Sequence, residues 1–367
     1  MWKPLTLGLA TVLLCAPAAQ AFVPVSPDVQ RLDMHIGGRT LVVNDEASHR
    51  TGWEYQWPGI YFEARFTGTQ VSLRFDDSAN IFNVIVDGRE VMQIDRPGQR
   101  EISLTLPIDG PHTIRLEKRS ETQHATGIFY GFYAASRVKT APAPTHARQI
   151  EFIGDSLTAG YGNTSAFGDC TAEDIFETTD TQRAFGPLIA KHYDADYRIE
   201  AYSGAGLVRN SVNHDPALHV TELYPRAVLD DPAPDTSPWS PQIVVVNLGG
   251  NDFNAALRPG EKWGDLPALV FDYRTSYVAF VKALRARYPK AEILLSTTTD
   301  KISFLPATVD QVFADLKADG VTGIDRINWP AMQRTGCDKH PNVRDDATIA
   351  KLYVDYIDAH PALWQGH

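Results

Sequence analysis

The sequence predicts a mixed α/β protein of two domains: an N-terminal antiparallel β-sandwich, jelly-roll-like, followed by a three-layer α/β/α domain on a parallel sheet. Three observations carry this. Between residues 39 and 133, apolar residues alternate with polar ones at a period of two. A Pro- and Ala-rich stretch at 139–147 then breaks the pattern. From Ile150 onward, short apolar runs alternate with segments of helical period. Period two marks sheets with one buried face, whereas strand-helix alternation marks parallel sheets covered on both sides.

Residues 1–21 read as a signal peptide, with Lys3 ahead of an apolar run from Leu5 to Leu14 and the small-residue cleavage pattern Ala19-Gln20-Ala21. The apolar run is too short for a membrane span, and no later run is longer. The expected location is therefore secreted or periplasmic.

The sandwich occupies 22–138. Its strands are marked by Val71, Leu73 and Phe75, by Val84 and Val86, by Ile102, Leu104 and Leu106, and by Ile114 and Leu116. Asp87-Gly88 reads as a tight hairpin and Asp109-Gly110 as a second turn. Trp53, Tyr55, Trp57, Tyr61 and Phe62 admit two readings, a sugar-stacking platform or the ordinary aromatic content of a sandwich core, and the core is favoured.

After the linker, the domain at 148–367 has strand-like runs at Ile150 to Ile153, Tyr197 to Tyr202, Ile243 to Leu248, Ile293 to Ser296 and Ile324 to Ile327. Helical periods lie between them, for example Tyr273, Tyr277, Phe280, Val281 and Leu284. The stretch from Leu207 to Pro241, rich in Pro and Asp, reads as a long surface excursion with a helical piece.

The net charge of −11, with positive charges scattered, argues against nucleic acid as a partner. Once a signal peptide is removed, Cys170 and Cys337 are the remaining cysteines. In an oxidising compartment an even pair is usually bridged, so a Cys170–Cys337 disulfide is expected. No Cys/His cluster has zinc spacing, and neither metal nor cofactor is expected.

The chemistry points to Ile150–Asn163, reading IEFIGDSLTAGYGN, in which Ser156 follows a strand and a sharp Gly-Asp turn. Strand ends are where open α/β sheets place ligands. A serine hydroxyl needs a base, and ester hydrolysis needs donors for the developing oxyanion. His340, in DKHPN before the last helical segment, is the candidate base. Asn251, in NLGGND at the end of the Ile243 to Leu248 strand, is a candidate oxyanion donor, as is the N–H of Ser156.

With SGAG at Ser203 to Gly206, these stretches resemble in order and spacing the four blocks of the SGNH, or GDSL-type, hydrolases. The resemblance implies that the Gly204 N–H is a further oxyanion donor, with Gly206 in its place if the block alignment shifts by two. Most such enzymes carry an Asp three residues before the His, a position held here by Cys337, whereas Asp338 lies two before. That spacing, with WPGIYFEARFTGT at Trp57 to Thr69 and YSGAGLVRN at Tyr202 to Asn210, resembles carbohydrate esterase family 2, two-domain acetyl esterases with a jelly-roll ahead of the SGNH domain. Lys339 departs from the aromatic expected between Asp and His.

The resemblance implies removal of O-acetyl groups from polysaccharides such as xylan or glucomannan. Ser156 would be acetylated and His340 would move the proton, so the partner would be an acetylated polysaccharide or oligosaccharide. Two arrangements support the imidazole, a Ser-His-Asp triad through Asp338 or a dyad oriented by a backbone carbonyl, and the triad is expected. The rivals are an SGNH lipase, thioesterase or peptidoglycan O-acetylesterase and, from another class, a non-catalytic carbohydrate-binding protein.

Overall fold

The computed structural model describes residues 28–45, 50–136, 138, 140–212, 214–299 and 302–365. The expected signal peptide lies outside the described residues. The period-two segments form two antiparallel sheets. One runs in the order Leu41–Asp45, Arg50–Tyr55, Gly127–Ala135, Gln70–Asp77, Gly98–Thr105, with Val29–Arg31 also paired to Gly127–Ala135. The other runs Met34–Gly37, Tyr61–Thr67, Pro111–Lys118, Ile81–Val86, Arg89–Asp95. Their inward residues, among them Phe62, Phe66, Leu73, Phe75, Phe82, Phe129 and Phe132, share one buried core. Asp87-Gly88 closes the hairpin in which Val86 pairs with Arg89. Asp109-Gly110 turns differently, because the strands flanking it belong to opposite sheets, so it lies on a crossover.

Residues 140–147 carry no regular element, and the parallel sheet begins at Arg148. Its order is Ala195–Ala201, Arg148–Gly154, Ile243–Asn247, Glu292–Thr298, Ile324–Trp329. Both faces are covered. Val244 and Val246 enter the same core as helices Leu266–Arg287 and Leu305–Ala318. Ile243 and Val245 point the other way, against helices Phe185–His192 and Val343–Ala359. Burial on both sides explains why these strands read as unbroken apolar runs.

The aromatic stretch of the sandwich is neither a platform nor core alone. Tyr55 and Phe62 fill the sandwich core. Trp57 Nε1 donates to the Arg226 carbonyl at 3.2 Å, and Tyr61 Oη donates to Asp196 at 2.6 Å, so these two dock one domain on the other.

A buried charge cluster completes the docking. Arg39 of the sandwich meets Glu151 at 3.0 Å and Glu200 at 2.8 Å, both on the parallel sheet. Arg198 pairs with Asp235 at 2.7 Å. Two buried guanidiniums and the partly exposed Arg287, 3.6 Å from Asp235, thus face three carboxyls, of which Glu151 and Glu200 are buried beside one another around Arg39. Burial pushes the Glu200 carboxyl from its ordinary 4.5 up to about 8, against the pull of Arg39 and with the help of Glu151. A folded-state pKa above the unfolded value means that the folded protein holds the extra proton. Stability from this group is therefore full below pH 4.5 and is lost as pH rises towards 8. Glu200→Gln, which keeps the size and removes the titration, should flatten the decline of melting temperature between about pH 5 and about pH 9. Parallel curves for the two proteins would contradict this.

Candidate active site

Ser156 stands where the strand Arg148–Gly154 turns into the short helix Ser156–Ala159. Asp155 caps that helix, its Oδ1 accepting the Leu157 N–H at 3.0 Å. Gly154 allows the turn to be tight, since a Cβ there would lie 2.1 Å from Thr158 Oγ1 and 3.0 Å from the Asn247 carbonyl oxygen. The serine is nearly buried at 9% exposure and lines a cavity of about 210 Å³. Gly204, Asn251 and His340 line the same cavity, so four of the residues singled out in the sequence converge there.

His340 Nε2 lies 2.8 Å from Ser156 Oγ, and His340 Nδ1 lies 2.9 Å from the Cys337 carbonyl oxygen. A carbonyl oxygen only accepts, so Nδ1 carries the proton and the lone pair of neutral Nε2 faces the serine hydroxyl. This is the tautomer a general base requires.

The triad expected through Asp338 is not the geometry found. The imidazole is oriented by the backbone carbonyl, while Asp338 Oδ2 accepts from Tyr161 Oη at 2.9 Å. The reason lies in the backbone. Asp338 sits in a left-handed conformation, φ 51°, within the 3₁₀ turn Cys337–Lys339, and its N–H donates to the Gly168 carbonyl at 2.7 Å. The same turn aims the Cys337 carbonyl at both His340 Nδ1 and the His340 N–H, the latter also at 2.9 Å. Cys337 is itself tied to Cys170, with an S–S distance of 2.03 Å. Asp338 reaches the imidazole only indirectly, by its contact with Tyr161, whose ring packs on His340 with centroids 4.3 Å apart. Asp338→Asn leaves an amide oxygen for Tyr161, so kcat should stay within about tenfold of wild type. Neutralising a true triad aspartate costs about 10⁴-fold. Steady-state rates on a small aryl acetate separate the two.

Asn251 is the second residue of the helical turn Gly250–Phe253, which is entered through Gly249, at φ 118° in a conformation few other residues tolerate. Its Nδ2 donates to the Ala205 carbonyl at 2.9 Å and to Asp155 Oδ2 at 3.2 Å. The next residue, Asp252, was not marked by the sequence reading. It is fully buried and accepts the N–H groups of Leu207, Val208 and Arg209 at 2.8 to 3.1 Å. The Asn-Asp pair thus ties the loop after one strand to the loop after another, and it holds the Leu207–Pro241 excursion at its root. Gly204 has φ 86°, and a Cβ there would lie 1.9 Å from His214 Nε2, so a larger residue would close the cavity wall.

Arg334, Thr298, Ile302 and Leu305 form another wall of the cavity, with Arg334 donating to Thr298 Oγ1 at 3.0 Å. Among the described residues no group of three or more His, Cys, Asp or Glu side chains is arranged to hold a metal ion. No helix among them is long and apolar enough to cross a membrane.

Known proteins share this architecture. Residues 37–144 match the family described as Carbohydrate esterase 2 N-terminal, and residues 152–361 match the GDSL-like Lipase/Acylhydrolase family. The chain is 39% identical over 359 residues, 98% of each chain, to a protein of Cellvibrio japonicus (strain Ueda107) named acetylxylan esterase / glucomannan deacetylase. A solved carbohydrate esterase, described as having an active site with divergent catalytic and non-catalytic binding functions, superposes with a TM-score of 0.87 at 39% identity, covering 91% of this chain and 100% of that one. A family two carbohydrate esterase from Clostridium thermocellum, solved with cellohexaose, gives a TM-score of 0.77 at 25% identity, covering 90% of this chain and 99% of that one. With both domains matched in order and nearly the whole chain aligned, this protein belongs to carbohydrate esterase family 2 and is a carboxylic ester hydrolase.

Proposed function

We propose that this esterase is exported and removes O-acetyl groups from polysaccharides or oligosaccharides of the xylan or glucomannan type, through an acetyl-serine intermediate. The observation that carries the reaction is the 2.8 Å contact between Ser156 Oγ and a His340 whose other ring nitrogen is held by a carbonyl. The name of the Cellvibrio relative supports the substrate class. Among the rival readings, the small cavity favours a short acyl group over a long lipid chain.

In the reaction, Ser156 Oγ attacks the acetyl carbonyl carbon as its proton passes to His340 Nε2. The carbonyl oxygen becomes an oxyanion, received by the N–H groups of Ser156 and Gly204 and the amide of Asn251. Collapse breaks the bond to the sugar oxygen, which takes the proton from Nε2 and leaves as a hydroxyl. Water, deprotonated by the same nitrogen, then attacks the acetyl-serine; the bond to Ser156 Oγ breaks, Oγ takes the proton back from Nε2, and acetate is released. Because the Nδ1 partner is a neutral carbonyl, the imidazolium formed on the way is stabilised by a hydrogen bond to a dipole rather than by a buried carboxylate.

Acetate release from acetylated xylan, acetylated glucomannan and O-acetylated peptidoglycan, set beside hydrolysis of long-chain esters, tests the substrate class. Turnover of the acetylated plant glycans with little on the others is the expected result. A preference for peptidoglycan or for long acyl chains would overturn it.

A further inference from the structure

The geometry points to Gln123, with Glu121 beside it, as positioning residues through which the β-sandwich aims the Gly204 N–H into the active site. The inference rests on the oxyanion role given above to Gly204. Glu121 and Gln123 lie on the segment between the strands Pro111–Lys118 and Gly127–Ala135, outside the hydrolase domain. Their side chains hold every polar group of Ser203. Glu121 Oε1 accepts the Ser203 N–H at 2.7 Å, Glu121 Oε2 accepts the Ser203 hydroxyl, and Gln123 Nε2 donates to the Ser203 carbonyl at 2.7 Å. Gln123 Nε2 also donates to Glu121 Oε1 at 3.2 Å, which joins the two into one clamp.

The Ser203 carbonyl and the Gly204 N–H belong to one peptide plane. In a trans peptide they point in opposite directions, so anchoring the carbonyl from behind fixes where the N–H points. This plane needs an anchor, because it borders a glycine at φ 86°, a residue that rotates with little steric resistance. Among the described residues none accepts the Gly204 N–H, and Gly204 lines the cavity beside Ser156, whereas Glu121 and Gln123 do not reach it. A donor on the carbonyl also polarises the peptide and strengthens its N–H as a donor.

The clamp is rigid at its base. Buried Asn80 Oδ1 accepts from Ser120 Oγ at 3.1 Å and from Thr122 Oγ1 at 2.9 Å. Gln56, fully buried, donates to the Gln123 carbonyl at 3.1 Å and to Asp230 at 2.8 Å. Within the hydrolase domain the Ala205 N–H donates to the Tyr202 carbonyl at 3.1 Å and the Ser211 N–H to the Gly204 carbonyl at 2.9 Å, which hold the ends of this turn, while the sandwich holds the peptide plane between them and is thereby a working part of the oxyanion hole.

The test uses the full chain and a small aryl acetate, which has no sugar to contact the sandwich. Gln123→Ala should lower kcat roughly tenfold, part of the 10²- to 10³-fold carried by one oxyanion donor, with KM within about twofold. Gln123→Glu keeps the size but sets an acceptor against the Ser203 carbonyl, and should fall further. In both, the affinity of an alkylboronic acid, which adds to Ser156 and places an oxygen in the hole, should weaken by the same factor as kcat/KM. Melting curves confirm that each variant is folded. A loss of fold without this matched loss of kcat/KM and boronate affinity in the folded fraction would assign a structural role and overturn the proposal. Unchanged kcat and boronate affinity in either folded variant, or a raised KM at constant kcat, would also overturn it. A Ser156→Ala protein that stays active would instead remove the site assignment on which the proposal rests.

Discussion

Ser156→Ala is expected to lose on the order of 10⁶-fold in kcat on an acetyl ester while keeping its fold. The size follows from the way the parts act together. Without Oγ there is no bond to form with the acetyl carbon, and a His340 placed 2.8 Å from that oxygen has no proton to take. Residual rate would come only from water attacking a bound ester beside the oxyanion donors. Folding should be little affected, because the hydroxyl lines the cavity and the turn is held by Asp155 and Gly154 rather than by the serine side chain. Turnover and a melting curve on the same preparation check both halves. A folded variant with near wild-type acetate release would sink the assignment.

Asn251→Ala should cost about 10²- to 10³-fold in kcat, the usual price of one oxyanion-hole donor. In the resting site both N–H bonds of the amide have partners, the Ala205 carbonyl at 2.9 Å and Asp155 Oδ2 at 3.2 Å. The longer of these is the one a substrate oxyanion would draw away, and the Ala205 bond would keep the amide in place meanwhile. The loss should therefore appear in kcat, with KM nearly unchanged, because the donor meets full negative charge only after attack. A raised KM at constant kcat would make Asn251 a contact to the ground-state substrate and remove it from the oxyanion hole.

The chemistry of the site was legible because its residue types are scarce and each follows a strand or precedes a helix. Ser156 ends a strand run, Asn251 follows another, and His340 comes just before the last helix, so a parallel sheet brings them to one edge. What holds the histidine was legible only as a choice between a carboxylate and a backbone carbonyl, and the sequence favours the wrong one. Residue letters advertise the carboxylate of Asp338, whereas the working group is the Cys337 carbonyl, aimed by a left-handed residue at φ 51° and a disulfide to Cys170. Backbone carbonyls leave no mark in composition or spacing. The clamp on Ser203 was hidden for another reason, as Glu121 lies 82 residues away in a domain of different fold. Period two located the sandwich strands but not which sheet each joins. Asp109-Gly110 therefore read as an ordinary turn although it crosses between sheets, and Trp57 and Tyr61, read as core and buried as expected, also dock the domains.

The central claim is that one serine, Ser156, carries the acyl group. Labelling with a fluorophosphonate, which transfers its phosphonyl group to an activated serine oxygen, followed by peptide mass spectrometry, tests it most directly. The account predicts a single modified residue, Ser156, labelled in proportion to the activity lost, with no label on Ser156→Ala or on His340→Ala. Loss of activity with the label on another residue, or full activity with Ser156 modified, would contradict it.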